Sequence, residues 1–292
     1  MPTSARPLSV VRHQSDSLSW EAVFSPPARR LQNELIGVYQ GWAEHALAVV
    51  RRREMPRIMI PVILNLGADF GVDSSGSGDG SDMRQFGSFA AGLHDRYALV
   101  ESSGRSRCIQ INLTPLSARR IFGCAMAELE NLTVDLRDIL GREFDSLMAQ
   151  LNAADDWAEC FALLDGYLSA RLAEAPEIRP EIAWAMRQLH GSGGTIGIGA
   201  LATEIGCSRK RLIASFRDQV GQTPKTVARV LRFNRVVKLL AADNAMGWAE
   251  LAYDAGYYDQ AHFNRDFRDF AGCTPSEYLA RQLPAGGGTR DA

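Results

Sequence analysis

The sequence predicts an α+β chain in which a β-rich region gives way to helices and then to an all-α C-terminal part. Three observations predict it. The apolar spacing changes near Pro115, a proline-punctuated break falls at residues 176–180, and beyond that break one segment occurs twice. With 46% hydrophobic and 23% charged residues among 292, the composition is globular, which excludes wholesale disorder, collagen-like repeats and a disulfide scaffold.

The N-terminal elements follow in order. No signal-like apolar core runs through Met1 to Trp20, and no apolar run reaches the roughly 18 residues of a membrane helix. Ala46 to Val50, the best candidate, meets Arg51-Arg52-Arg53. The expectation is a cytoplasmic protein with no membrane association. The spacing of Leu31 to Val50 predicts a helix, with the three arginines as its solvated end. Residues 57–113 are sheet-like. Short stretches rich in Val, Ile, Leu and Phe (Ile58 to Leu66, Gln85 to Ala91, Tyr97 to Val100, Cys108 to Leu113) are separated by Gly and Ser clusters such as Asp73 to Gly80. From 115 to 174 the spacing is helical, and Leu132, Leu136, Leu140, Phe144, Leu147 and Leu151 form a stripe expected to pack on the sheet.

These signals divide the chain into an N-terminal domain, 1–175, a linker, 176–181, an all-α domain, 182–284, and a disordered tail, 285–292. Charge divides at nearly the same place. The whole chain is −2, whereas residues 1–179 hold 18 Lys+Arg against 23 Asp+Glu and residues 180–284 hold 13 against 10. An acidic part is therefore joined to a mildly basic one. The five cysteines are scattered, form no C-x-x-C pair and read as reduced.

The repeat carries the functional signal. Leu201-Ala202-Thr203-Glu204-Ile205-Gly206 realigns with Leu251-Ala252-Tyr253-Asp254-Ala255-Gly256, and Phe216-Arg217, Gly221 and Thr223-Pro224 realign with Phe267-Arg268, Gly272 and Thr274-Pro275. Each copy predicts a helix, a tight turn and a second helix. Gly206 suits a left-handed C-cap, Ser208 and Asp259 suit N-caps, and Arg209 to Val220 is bounded by Gly221 with Pro224 beyond. Leu212, Phe216 and Val220 are the apolar stripe of one second helix, and Phe263, Phe267 and Phe270 that of the other. Thr223 to Ala242 predicts a long spacer helix with Arg229, Arg232, Arg235 and Lys238 exposed. An amphipathic, basic second helix after a tight turn suits entry into a DNA major groove, where Arg pairs with guanine and Gln with adenine.

Residues 182–283 resemble the DNA-binding domain of the AraC/XylS family of transcription regulators, which has two helix-turn-helix units joined by a linker helix. The carrying residues are Leu201-Ala202, Gly206, Ser208, Leu212, Phe216, Gly221 and Thr223-Pro224, then Arg232 and Leu239-Leu240. They continue with Ala252, Gly256-Tyr257, Phe263, Arg265, Phe267-Arg268, Gly272, Thr274-Pro275 and Tyr278. Tyr257, Tyr258, Asp259 and Val227 depart from the commonest family residues. The resemblance implies base-facing positions Lys210, Ile213 and Ala214 in the first unit and Gln260, Ala261 and Arg265 in the second. Phosphate-side residues are then Ser208, Arg209, Arg211, Arg217, His262, Asn264 and Arg268.

Family members usually carry an N-terminal sensing or dimerising domain, often a cupin-type β-barrel followed by helices, which the order of residues 57–174 matches. The function expected is that of a sequence-specific DNA-binding regulator answering a small-molecule effector, with double-stranded DNA, RNA polymerase and a second copy of the chain as partners. A ligand-independent, architectural DNA binder whose N-terminal domain only dimerises is the alternative. Within the sheet region His94 and Arg96 are the candidate effector contacts, weighed against a plain polar turn. Of the five histidines (His13, His45, His94, His190, His262), His94 alone lies in that region, so no metal, cofactor or catalytic residue is expected. A DNA-repair methyltransferase would need a reactive acceptor cysteine or a zinc-binding cysteine cluster, and neither pattern is present.

Overall fold

The computed structural model describes residues 7–16, 18–241, 247–281 and 289–290. Two antiparallel sheets face each other. The first has seven strands in the order β1-β2-β3-β10-β5-β8-β11, from Ser9–Gln14, Leu18–Ser25, Tyr39–Ala46, Arg105–Leu113, Ile60–Asn65, Phe89–Ala91 and Thr133–Asp135. The second has the order β12-β4-β9-β6-β7, from Thr289–Arg290, Val50–Glu54, Ala98–Ser102, Phe70–Asp73 and Arg84–Phe86.

Strand alternation gives each strand two addresses. In β10, Ile109, Ile111 and Leu113 are buried toward the helices, while Cys108 joins Phe70, Val72, Phe86 and Phe89 between the sheets. In β3, Gly41 lies under the Trp157 ring so closely that an added Cβ would sit 2.7 Å from it. On the opposite face of the same strand, Trp42 stacks on Trp20 at 5.0 Å.

The helices follow as α1 (Pro115–Phe122), α2 (Leu136–Leu140), α3 (Arg142–Ala153) and α4 (Trp157–Ala173). Thr114 caps α1 by accepting from the Ser117 amide, and Pro115 occupies the first turn, where its missing N–H costs nothing. Asp165 of α4 accepts from the Tyr39 hydroxyl and the Ala28 amide, each at 2.9 Å, which ties the helix layer to the sheet. Seven helices complete the described chain: α5 (Pro180–Gly191), α6 (Ile198–Ile205), α7 (Arg209–Val220), α8 (Pro224–Ala241), α9 (Trp248–Asp254), α10 (Gln260–Ala271) and α11 (Pro275–Arg281). Buried apolar residues from Val23 through Tyr278 form one continuous cluster, so the β-rich and all-α parts share a core.

Several expectations are corrected. The predicted helix Leu31 to Val50 is replaced by a single 3-10 turn, Arg29–Leu31, and strand β3. Arg51, Arg52 and Arg53 lie inside β4 rather than at a helix end. The β-rich region begins at Ser9 instead of residue 57, and the helical region after Pro115 is interrupted by β11. Gln85 to Ala91 splits into β7 and β8, which belong to different sheets. In the stripe of the trailing helices, Leu136, Leu140, Phe144, Leu147 and Leu151 are buried, but Leu132 sits exposed in a turn. The expected disordered tail, 285–292, falls outside the described residues except for Thr289–Arg290, which pair with Arg53 and Arg52.

Candidate nucleic-acid interface

The two units are built by the same local chemistry. In the first, α6 ends at Gly206 with φ +73°, and the Ser208 hydroxyl accepts from the Arg211 amide at 3.2 Å to start α7, which ends at Gly221 with φ +95°. A side chain at either glycine would be strained in that left-handed backbone. In the second, Gly256 follows α9, the Asp259 carboxylate accepts from the His262 amide at 2.7 Å, and α10 ends at Gly272. Leu212, Phe216 and Val220 are buried on one side, as are Phe263, Phe267 and Phe270 on the other. Phe233 of α8 meets both Phe267 and Phe270 with ring centres 5.2 Å apart, so α8 spaces the units and also fills their core.

All six residues placed on the base-facing side, Lys210, Ile213, Ala214, Gln260, Ala261 and Arg265, are exposed. Ser208, Arg209, Arg211, Arg217 and Arg268 are exposed as well, while His262 and Asn264 are half-buried. Three of these side chains already have work inside the protein. The Ser208 hydroxyl caps its helix, Arg217 pairs with Glu130 of the β-rich part, and the His262 ring packs edge-on against Tyr257 at 5.3 Å.

A family model described as a helix-turn-helix domain matches residues 201–281. This segment is an AraC-type helix-turn-helix domain. The chain bearing it is a DNA-binding transcription regulator. Similar solved structures include ToxT from Vibrio cholerae O395, 12% identical over 80% of this chain and 96% of that one, with a TM-score of 0.44. A second is wild-type ToxT from Vibrio cholerae strain SCE256 with an unsaturated fatty acid bound, 12% identical over 92% and 97%, with a TM-score of 0.43. The C-terminal domain of AraT, a response regulator from Geobacillus stearothermophilus, is 17% identical over 38% and 92%, with a TM-score of 0.35. No curated protein matches the chain.

The AraC-type domain holds ionic ties that the sequence did not reveal. Arg229 and Arg232, expected on the exposed face of the spacer helix, are half-buried, whereas Arg235 and Lys238 are exposed. Arg229 donates to Asp266 through Nε at 3.0 Å and Nη2 at 2.7 Å, and to Asp269 at 2.7 Å, so α8 is locked to α10. Those carboxylates raise the guanidinium's pKa against the opposing pull of its burial. Arg232 donates to the Gly194 carbonyl at 2.6 Å and lies 5.5 Å from the Tyr257 ring centre. Tyr253 and Tyr258, 79% and 93% exposed, flank the turn of the second unit; their positions were visible in the sequence but their exposure was not.

The two effector candidates differ in their surroundings. His94 is 9% exposed, and burial, outweighing a hydrogen bond with the Leu132 backbone, lowers its pKa to about 4, so near neutral pH it carries no charge for an anion. Arg96 is exposed, donating to Asp95 at 3.1 Å and to the Ser75 carbonyl at 3.2 Å. A larger feature lies elsewhere, an open groove of about 900 Å³ along α3 and α4 that reaches Glu174, Ala175 and Pro176. Leu147, Leu163 and Gly166 line it, Arg120 and Arg171 stand at its side, and the Tyr167 hydroxyl there is buried without a partner.

Proposed function

We propose that the chain is a sequence-specific regulator that reads DNA with α7 and α10 and answers a small-molecule effector held by its β-rich part, with a division near residues 176–181 and a homodimer as the working unit. The observation that carries the DNA reading is the exposure of Lys210, Ile213, Ala214, Gln260, Ala261 and Arg265 on two capped helices whose opposite faces are buried. Arg265 has the donors to pair with a guanine and Gln260 suits an adenine, while Ile213 and Ala214 suit thymine methyls. Arg209, Arg211, Arg268 and, once released from Glu130, Arg217 supply phosphate contacts. RNA polymerase is the further partner of such a regulator. No helix among the described residues is long and apolar enough to cross a membrane, which agrees with a cytoplasmic site of action.

The groove along α3 and α4 supports the effector reading. Its volume suits a small organic molecule, it sets apolar residues such as Leu147 and Leu163 beside charged ones, Arg120, Arg171, Glu143 and Glu159, and it ends at the connection to the all-α part. The outermost strand, β1, exposes Val10 and Val11, which supports association between copies.

Selection of duplexes from a random pool by the full chain, repeated with Arg265→Ala, tests the base assignment. The variant is expected to lose about 1 to 3 kcal/mol and to relax preference at one base pair. An unchanged preference overturns it. Thermal shifts with a metabolite panel test the effector, and Gly166→Leu, which fills open space in the groove, should abolish any shift found. If no metabolite shifts the protein, the ligand-independent reading takes its place. Light scattering that reports a monomer overturns the dimer.

A further inference from the structure

Strand β4 carries three consecutive arginines, and strand alternation sends the last two to opposite faces. Arg52 points between the sheets. Its guanidinium lies 2.5 Å from the Glu44 carboxylate, whose side chain is fully buried, and 6.0 Å from the Trp42 ring centre. Ser102 donates to the other Glu44 oxygen at 3.0 Å. Arg53 points the other way, is 7% exposed, and donates through Nη1 to the Ala271 carbonyl at 3.1 Å. Ala271 is the last residue of α10, where the helix dipole places partial negative charge. The Arg53 guanidinium also lies 4.2 Å from the Tyr97 ring centre. That ring covers Gly272 so closely that a Cβ there would come within 2.2 Å of it.

We propose that Arg53 is a positioning residue for the second recognition helix, and that β4 couples it to the Glu44–Arg52 pair held between the sheets. The inference rests on α10 reading DNA. Ala271 and Gly272 form the seated end of a helix whose free end presents Gln260, Ala261 and Arg265. A rigid rod of 12 residues, about 18 Å long, turns a small displacement at its seat into a change of angle at the bases. The strand is a stiff transmitter because it is paired on both sides, Arg52 and Arg53 opposing Val100 and Leu99 in β9 and Arg290 and Thr289 in β12. Whatever displaces Arg52 from Glu44 therefore moves the backbone that carries Arg53.

The test uses the full chain and a duplex that the unaltered protein selects from a random pool, with affinity read by fluorescence anisotropy. Arg53→Ala is expected to weaken binding roughly tenfold, within the range of about 5- to 150-fold typical of coupled sites. The loss should fall on base pairs read by α10, with those read by α7 unaffected. Arg53→Lys keeps the charge without the planar fork and should lose less. The slope of affinity against salt should stay unchanged, because a residue that touches no phosphate releases no counterion. Glu44→Gln should weaken binding in the unaltered background and add nothing in Arg53→Ala. Three results overturn the inference: Arg53→Ala within twofold of the unaltered protein, a shallower salt slope, or losses from Glu44→Gln and Arg53→Ala that simply add. If Arg53→Ala does not fold, Arg53→Lys alone decides by the same three readings. A pool that never enriches would overturn the DNA reading itself and this inference with it, whereas enrichment with an indifferent Arg53 overturns the inference alone.

Discussion

Arg229 offers a test in which distance and burial make opposite forecasts. It reaches Asp266 and Asp269 at the same 2.7 Å, so bond length alone predicts equal contributions from the two carboxylates. Burial predicts otherwise, since the Asp266 side chain is 3% exposed and that of Asp269 is 51%. Breaking a buried pair costs about 3 to 5 kcal/mol because an uncompensated charge is left behind, whereas a solvent-screened pair is worth about 0 to 1 kcal/mol. Two features pull Asp266→Ala toward the lower end. Arg229 keeps Asp269 and lies 4.9 Å from the Phe270 ring centre, and the second Asp266 oxygen has no hydrogen-bond partner to lose. The expectation is about 3 kcal/mol for Asp266→Ala and about 0.5 kcal/mol for Asp269→Ala. Urea unfolding of each full-length variant at pH 7 measures the difference. Equal losses, or a larger loss at Asp269, would refute the argument from burial. The same tie sets the angle between α8 and α10, so Asp266→Ala should also weaken DNA binding under conditions where the variant remains folded.

Acidification supplies a second prediction. The His94 pKa lies at about 4 in the folded chain because burial disfavours its charged form, against about 6.5 for an ordinary histidine. The unfolded chain therefore takes up the proton first, and the stability contributed by neutral His94 is complete above pH 6.5 and lost as pH falls toward 4. The fall from pH 7 to 4.5 should cost roughly 2 to 3 kcal/mol more in the unaltered protein than in His94→Gln, measured by urea unfolding at both pH values. Parallel pH profiles would sink it. Glu130→Gln should barely change stability, since its partner Arg217 is 47% exposed. By freeing Arg217 it should strengthen DNA binding and steepen the salt slope by about 0.9. An unaltered slope would remove Arg217 from the phosphate contacts.

The all-α part was legible because its determinants are local. Ser208, Asp259, Gly206, Gly221 and Gly272 act within a few residues of themselves, and their caps and left-handed turns occur where the sequence placed them. The β-rich part was harder for reasons visible in single strands. Tyr39–Ala46 meets the helix layer on one face, at Gly41, and Arg52 of the opposite sheet on the other, at Trp42 and Glu44, so it lacks the polar alternation that marks a half-buried strand. Arg51-Arg52-Arg53 reads as a solvated run, yet one strand distributes it to an exposed position, a buried ion pair and a contact with α10. Separation along the sequence also concealed the Arg229 cluster, because Asp266 and Asp269 lie 37 and 40 residues away from it.

The internal repeat has a counterpart in how the protein holds it. Gly221 and Gly272 are equivalent turns in the two units, and both abut the β-rich part, Gly221 against the Met126 backbone and Gly272 under the Tyr97 ring. The Leu93 carbonyl accepts from Nε2 of Gln222 at 3.1 Å, beside the first turn. At the second turn Arg53, behind the Tyr97 ring, holds the Ala271 carbonyl. α7 and α10 are thus both seated by their C-terminal ends, while the ends that carry Lys210 and Gln260 stay exposed. A chain that anchored only one unit would leave the spacing between the two helices to α8 alone. Anchoring both on the β-rich part, the first unit through Met126, Glu130 and Leu93 and the second through Tyr97 and Arg53, makes that spacing depend on the conformation of that part as well. His94 lies between Leu93 and Tyr97, so the charge that acid places there falls between the contact with Gln222 and the contact with Gly272.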